Sequence, residues 1–148
     1  MRPPKHPDLA LPSTREWWGC PGVVYFLGVG TPVVAVKIGM LAVTGKLTLQ
    51  TAVARRMGQI QTSNHEPIQL LGLISFSECE FPTREAEVTE RVLHSEFAHL
   101  ARFAAGTKGA EWFSCSPELL SRIEQIAVAP EVFGLPKSFA AVAPSRET

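Results

Sequence analysis

The stretch V23-V-Y-F-L-G-V29 constrains the fold more than any other part of the chain. It is short, apolar and rich in β-branched residues, which is the signature of a buried strand. Gly28, Gly30 and Pro32 then punctuate a tight connection. Val33 to Met40 reads as a second strand, so the two should form a hairpin.

Beyond the hairpin the period changes. Thr48 is placed to cap a helix in which Leu49, Val53, Met57 and Ile60 recur on one face. Arg56 lies beside that stripe and Arg55 points further toward solvent, while Gly58 weakens the helix without forbidding it. Pro67 ends the next loop, and Ile68 to Phe76 reads as a third strand. Thr83 is a candidate cap for a helix running to about residue 103. Gly106 and Gly109 bracket a loop, E111-W-F-S-C115 forms a short segment, and Pro117 opens a last helix. The order β-β-α-β-α-α predicts an α+β domain with a small, mainly antiparallel three-stranded sheet flanked by helices. The expected organisation is a Pro-rich arm over 1–19, ending in Trp17-Trp18 docked on the domain, a domain over 20–128 and a loose tail over 129–148.

Composition narrows the class. With 45% hydrophobic and 19% charged residues the chain resembles an ordinary globular protein. No apolar run approaches the roughly 18 residues that cross a bilayer, and no signal-peptide stretch is present, so a cytoplasmic location is expected. Cys20, Cys79 and Cys115 are odd in number and far apart, which suits neither a disulfide framework nor a zinc site. Net charge is zero, but Pro21 to His65 holds no Asp or Glu while carrying Lys37, Lys46, Arg55 and Arg56. Such a local positive face can accept a phosphate backbone, although four charges can also segregate by chance. There is no P-loop, no G-x-G-x-x-G, no H-E-x-x-H and no recognisable triad signature.

One carboxylate is out of place. Ala86, Leu93, Phe97 and Leu100 share a narrow helical stripe, and Glu90 falls about 20° from Phe97 and about 40° from Ala86 on the wheel. A carboxylate there needs a cation, either a metal or an arginine such as Arg56.

Several fragments together resemble the GIY-YIG nuclease superfamily, in particular a phage and bacterial branch. V23-V-Y-F-L27 and V36-K-I-G39 look like its paired strands, and A54-R-R-M through Leu71 like its arginine helix running into the third strand. E90-R-V-L-H94 and A110-E-W-F113 look like two later signatures of that branch. The resemblance spans residues 22 to about 126. It implies that Tyr25 is the tyrosine of the first motif, Gly39 a glycine that lets phosphate approach, Arg56 the catalytic arginine and Glu90 the metal ligand. The sequence departs from the pattern at Val23, Lys37 and Ile60, where glycine, a second tyrosine and, in some members, histidine stand.

The chemistry follows from these residue types. Glu90 can hold Mg²⁺ or Mn²⁺ that keeps most of its waters. Arg56 presents a permanently charged fork to phosphate oxygens. Tyr25 can orient or deprotonate a water and is the best candidate for the base, with Lys37 either favouring its phenolate or holding phosphate itself; a core aromatic is the alternative. His94, one turn after Glu90, suits proton transfer or a structural bond. Arg55, Asn64 and His65 are candidates for contact with substrate. Glu111 and Trp112 are expected to anchor the final segment, and Glu87 to be solvated. The expected function is a metal-dependent endonuclease acting on DNA, or on RNA, as a monomer or a dimer transient on substrate. The alternative is a catalytically inactive nucleic-acid-binding or protein-interaction module with the same fold.

Overall fold

The computed structural model describes residues 9–107 and 109–140, and its elements follow the expected order with two additions. A short helix α1 (Pro12–Trp18) precedes strand β1 (Gly22–Val29) and strand β2 (Ala35–Ala42). Helix α2 (Leu49–Thr62), strand β3 (Ile68–Ser75) and helix α3 (Pro82–Glu96) come next, followed by strand β4 (Trp112–Ser114) and helix α4 (Pro117–Ile126). The sheet is antiparallel throughout and has four strands in the order β3-β1-β2-β4, so the three-stranded expectation is corrected. Strand β4 escaped notice because three residues cannot display a period. It is a strand because its backbone pairs with Ala35–Lys37.

β1 is the central strand and is buried along almost its whole length. Its alternate residues feed two separate cores. Val24 and Phe26 face α3 and α4, joined by Ile38, Leu93, Phe97 and Phe113. Val23, Tyr25 and Leu27 face α2, joined by Leu41, Val53, Met57 and Leu70. The helix stripe read from Val53 and Met57 is therefore the buried face of α2, and Thr48 Oγ1 accepts the Thr51 N–H at 3.1 Å as a cap.

Three boundaries differ from expectation. Thr83 is not a cap: it sits fully buried in the first turn of α3, and its hydroxyl donates to the Cys20 carbonyl at 2.8 Å. α3 stops at Glu96 rather than near residue 103, because Phe97 leaves helical geometry to enter the core, and a single 3₁₀ turn (Ala98–Leu100) follows. The segment read as an extended arm contains α1, which buries Trp18; residues 1–8 lie outside the described residues.

The segment read as a tail is anchored through residue 140. Pro130–Phe133 forms a 3₁₀ turn, Leu135 is 5% exposed, and the Leu70 N–H donates to the Lys137 carbonyl at 2.7 Å. These contacts complete the core over β3; residues 141–148 lie outside the described set. No helix among the described residues is long and apolar enough to cross a membrane.

Candidate functional site

The register of the hairpin builds the centre of the site. Tyr25 on β1 lies opposite Gly39 on β2, and Leu27 opposite Lys37, so Tyr25, Gly39 and Lys37 share the sheet face that α2 covers. Tyr25 is 1% exposed, and a Cβ placed on Gly39 would come within 2.5 Å of its ring. The first thing Gly39 admits is thus the Tyr25 ring. From α2, Arg56 Nη1 donates to the Tyr25 hydroxyl at 3.5 Å, a long bond. Lys37, Arg56, Gln59, Asn64 and Trp112 line a cleft of about 280 Å³ beside this group.

The opposite flank of the site is the outer edge of β2. Past Lys37 that edge has no strand partner among the described residues. The edge is closed by other means: Ile38 N–H donates to the Glu111 carbonyl at 3.0 Å, and Ile38 C=O accepts from His94 Nε2 at 2.8 Å. One turn earlier on α3, the Glu90 carboxylate accepts from the Met40 N–H. Glu90 and His94 are therefore a side-chain substitute for a missing strand. A carbonyl can only accept, so His94 carries its proton on Nε2. Its ring also packs on Phe113, centroids 5.1 Å apart.

Glu111 is closer to this chemistry than its sequence context suggests. Its carboxylate pairs with Lys37 Nζ at 3.1 Å, and the same ammonium lies 6.0 Å from the centre of the Trp112 ring. The loop before β4 thus serves both as edge cover and as a charged wall.

The charges set the titration of the site. Burial, then the negative charge of Glu111, pushes the Glu90 carboxyl from 4.5 up to about 7; the Met40 N–H and Lys37 pull the other way. No ion pair joins Glu90 to Arg56 among the described residues, so the arginine reading of its partner is not realised. Burial also raises the Tyr25 phenol above 10.0. Lys37 and Arg56 lower it, as their charge requires, but desolvation outweighs them. Lys37 thus pulls toward the phenolate as expected, while burial works against Tyr25 as the base.

The remaining candidates scatter. Arg55 lines a neighbouring cavity of about 200 Å³ together with Arg56 and Gln59. Asn64 is held by its Nδ2 donating to the Ile60 carbonyl at 2.8 Å and borders the central cleft. His65 is 96% exposed and only near Glu66, so it stands apart from the cleft. Ile60 packs with the core under Tyr25.

The fold defines an α+β domain with a basic cleft on the α2 side and one half-buried carboxylate, Glu90, at the outer edge of β2. Residues 22–127, most of the chain, match the family described as the T5orf172 domain, and the chain belongs to that family. The family occurs in phage-derived proteins and in some endonuclease-associated ones. No curated protein and no solved structure matches the chain.

Proposed function

We propose that this domain is a divalent-metal-dependent endonuclease of the GIY-YIG type, hydrolysing phosphodiester bonds in DNA. The observation that carries the reading is Glu90: a half-buried carboxylate, desolvated and repelled by Glu111, with no cationic side chain bonded to it among the described residues. Such a group fits a hard cation, which removes the cost of its burial. No cluster of three His, Cys, Asp or Glu side chains exists among the described residues, which disfavours a zinc cage. One carboxylate suits Mg²⁺ or Mn²⁺, whose remaining positions are filled by water and substrate. When bound, the ion supplies Lewis acidity toward water and toward the charge that develops on phosphate.

The chain's own residues supply the rest. Glu90 holds the ion while its bond to the Met40 N–H fixes the carboxylate plane. Arg56 neutralises a phosphate oxygen from the opposite side and keeps its charge at any working pH. Tyr25, protonated at neutral pH, orients a water or substrate oxygen as a donor. Lys37 holds phosphate once a substrate competes with Glu111 for it. His94 supports the site by fixing the β2 edge.

The test is cleavage of duplex, branched and single-stranded DNA with Mg²⁺ or Mn²⁺, for the wild type and Glu90→Gln. The substituted amide would still accept the Met40 N–H but cannot neutralise a cation, so cleavage should fall at least about 100-fold with the fold intact. Cleavage that survives the change refutes the metal assignment. A wild type that cuts neither DNA nor RNA with any divalent ion makes this a binding module instead, as the engagement of Lys37 by Glu111 would favour.

A further inference from the structure

Three cavities on the α2 side are joined end to end by shared residues. The central cleft shares Arg56 and Gln59 with the cavity that Arg55 borders. At its other end it shares Asn64 and Trp112 with a cavity of about 280 Å³ that Arg102 and Phe103 also line. The walls of this groove carry Arg102, Lys37, Arg56 and Arg55, and the Glu111 carboxylate stands beside it, paired with Lys37 at 3.1 Å. The surplus of cations complements a polyanion.

The end away from Arg55 differs in kind, because it is aromatic. Phe103 is 51% exposed, a large apolar surface for a side chain in a basic groove. It is not a loose side chain. Its ring lies against Gly109, where an added Cβ would sit 3.1 Å from a ring carbon. The loop that carries it is closed by the Arg102 N–H donating to the Trp112 carbonyl at 3.0 Å. Phe103 is thus backed on one side and open on the other, with Trp112 on the same cavity wall.

We propose that Phe103 and Trp112 form a stacking subsite for an unpaired nucleobase, with Arg102 taking the adjacent phosphate. The consequence is a substrate class: nucleic acid with a single-stranded or extruded nucleotide beside the bond in the central cleft. Base faces are accessible to an aromatic ring only when unstacked, whereas a paired duplex offers edges and phosphates. The proposal rests on the nucleic-acid reading above, and its test separates the two.

Binding is measured on the full chain in EDTA, so that no cleavage intervenes. The probes are a single strand, a blunt duplex of the same sequence, and that duplex carrying a single-stranded flap. Wild type should prefer the flap and the single strand. Phe103→Ala should weaken both about tenfold, leave the blunt duplex within about twofold, and Phe103→Tyr should restore binding. A 2-aminopurine at the unpaired position should be quenched on binding wild type but not Phe103→Ala. Equal loss on all three probes, or no loss on any, overturns the subsite while leaving a duplex nuclease standing. A folded wild type that binds none of them overturns both readings.

Discussion

The two faces of the sheet are built by opposite rules from alternate residues of the same strands. On the α3 and α4 side, Val24, Phe26, Val36 and Ile38 meet Leu93, Phe97, Phe113 and Leu119 in a wholly apolar layer. On the α2 side, the same strands turn Tyr25, Lys37 and Gly39 toward Arg56, next to a core that continues through Leu27 and Leu41. The sealed face can be apolar because two helices close it. The other tolerates polar groups because a cleft leaves their charged ends partly in water. α3 bridges the two rules: Leu93 fills the sealed layer while Glu90 and His94 reach the β2 edge.

Neighbouring residues of β1 test this division most severely. Phe26→Ala should cost about 3–5 kcal/mol through the cavity it leaves, read by urea unfolding. Tyr25→Phe removes only a hydroxyl held by a 3.5 Å bond, so stability should change by about 1 kcal/mol or less. Cleavage should nevertheless fall about 100-fold. If Tyr25→Phe instead costs about 3 kcal/mol or more while the folded protein keeps its activity, the polar face is structural and the contrast collapses.

A smaller effect concerns Glu90 and pH. Its carboxyl sits at about 7 in the fold against an ordinary 4.5, so the folded state holds the proton more tightly. The stability this adds is present below pH 4.5 and lost as pH rises through 7. The metal-free Tm should fall between about pH 5 and pH 8, and Glu90→Gln should flatten that slope. Mg²⁺ should raise Tm at about pH 8 more than at about pH 5, because the ion binds the ionised form. A metal-free Tm with equal pH dependence in wild type and Glu90→Gln removes Glu90 from the account.

The smallest effect is also the cleanest to read, since Tyr25 is the chain's one tyrosine. Its phenolate absorbance should titrate above 10.0. Lys37→Met should move that titration up and Glu111→Gln down, each by on the order of one pH unit or less. A titration indifferent to both would place these charges outside the reach of Tyr25.

Much of this was legible in the chain because local rules suffice where local pattern is strong. The apolar run from Val23 announced β1, and the spacing of Val53 and Met57 announced the buried face of α2. Glu90 was conspicuous because a carboxylate beside Leu93 and Phe97 violates the helical pattern. Glu111 was less so: E-W-F marked an anchored segment, but its pairing with Lys37 depends on β4 lying against β2. Phe103 and Arg102 carried no signal, since they belong to a loop whose place is set by the Arg102–Trp112 hydrogen bond. The anchoring of residues 130–140 was hidden for a similar reason, prolines and isolated apolar residues having no period to read.

Taken alone, the sequence determined strands β1 to β3, the presence of helices α2 to α4, and one carboxylate that apolar surroundings would not tolerate. These depend on periodicity and on the cost of burying charge, which neighbouring residues impose on one another. Only the tertiary structure decided what Glu90, His94 and Glu111 do. Their partners are backbone groups at the open edge of β2 and the Lys37 ammonium, and that edge exists only once β4 has paired for three residues and stopped.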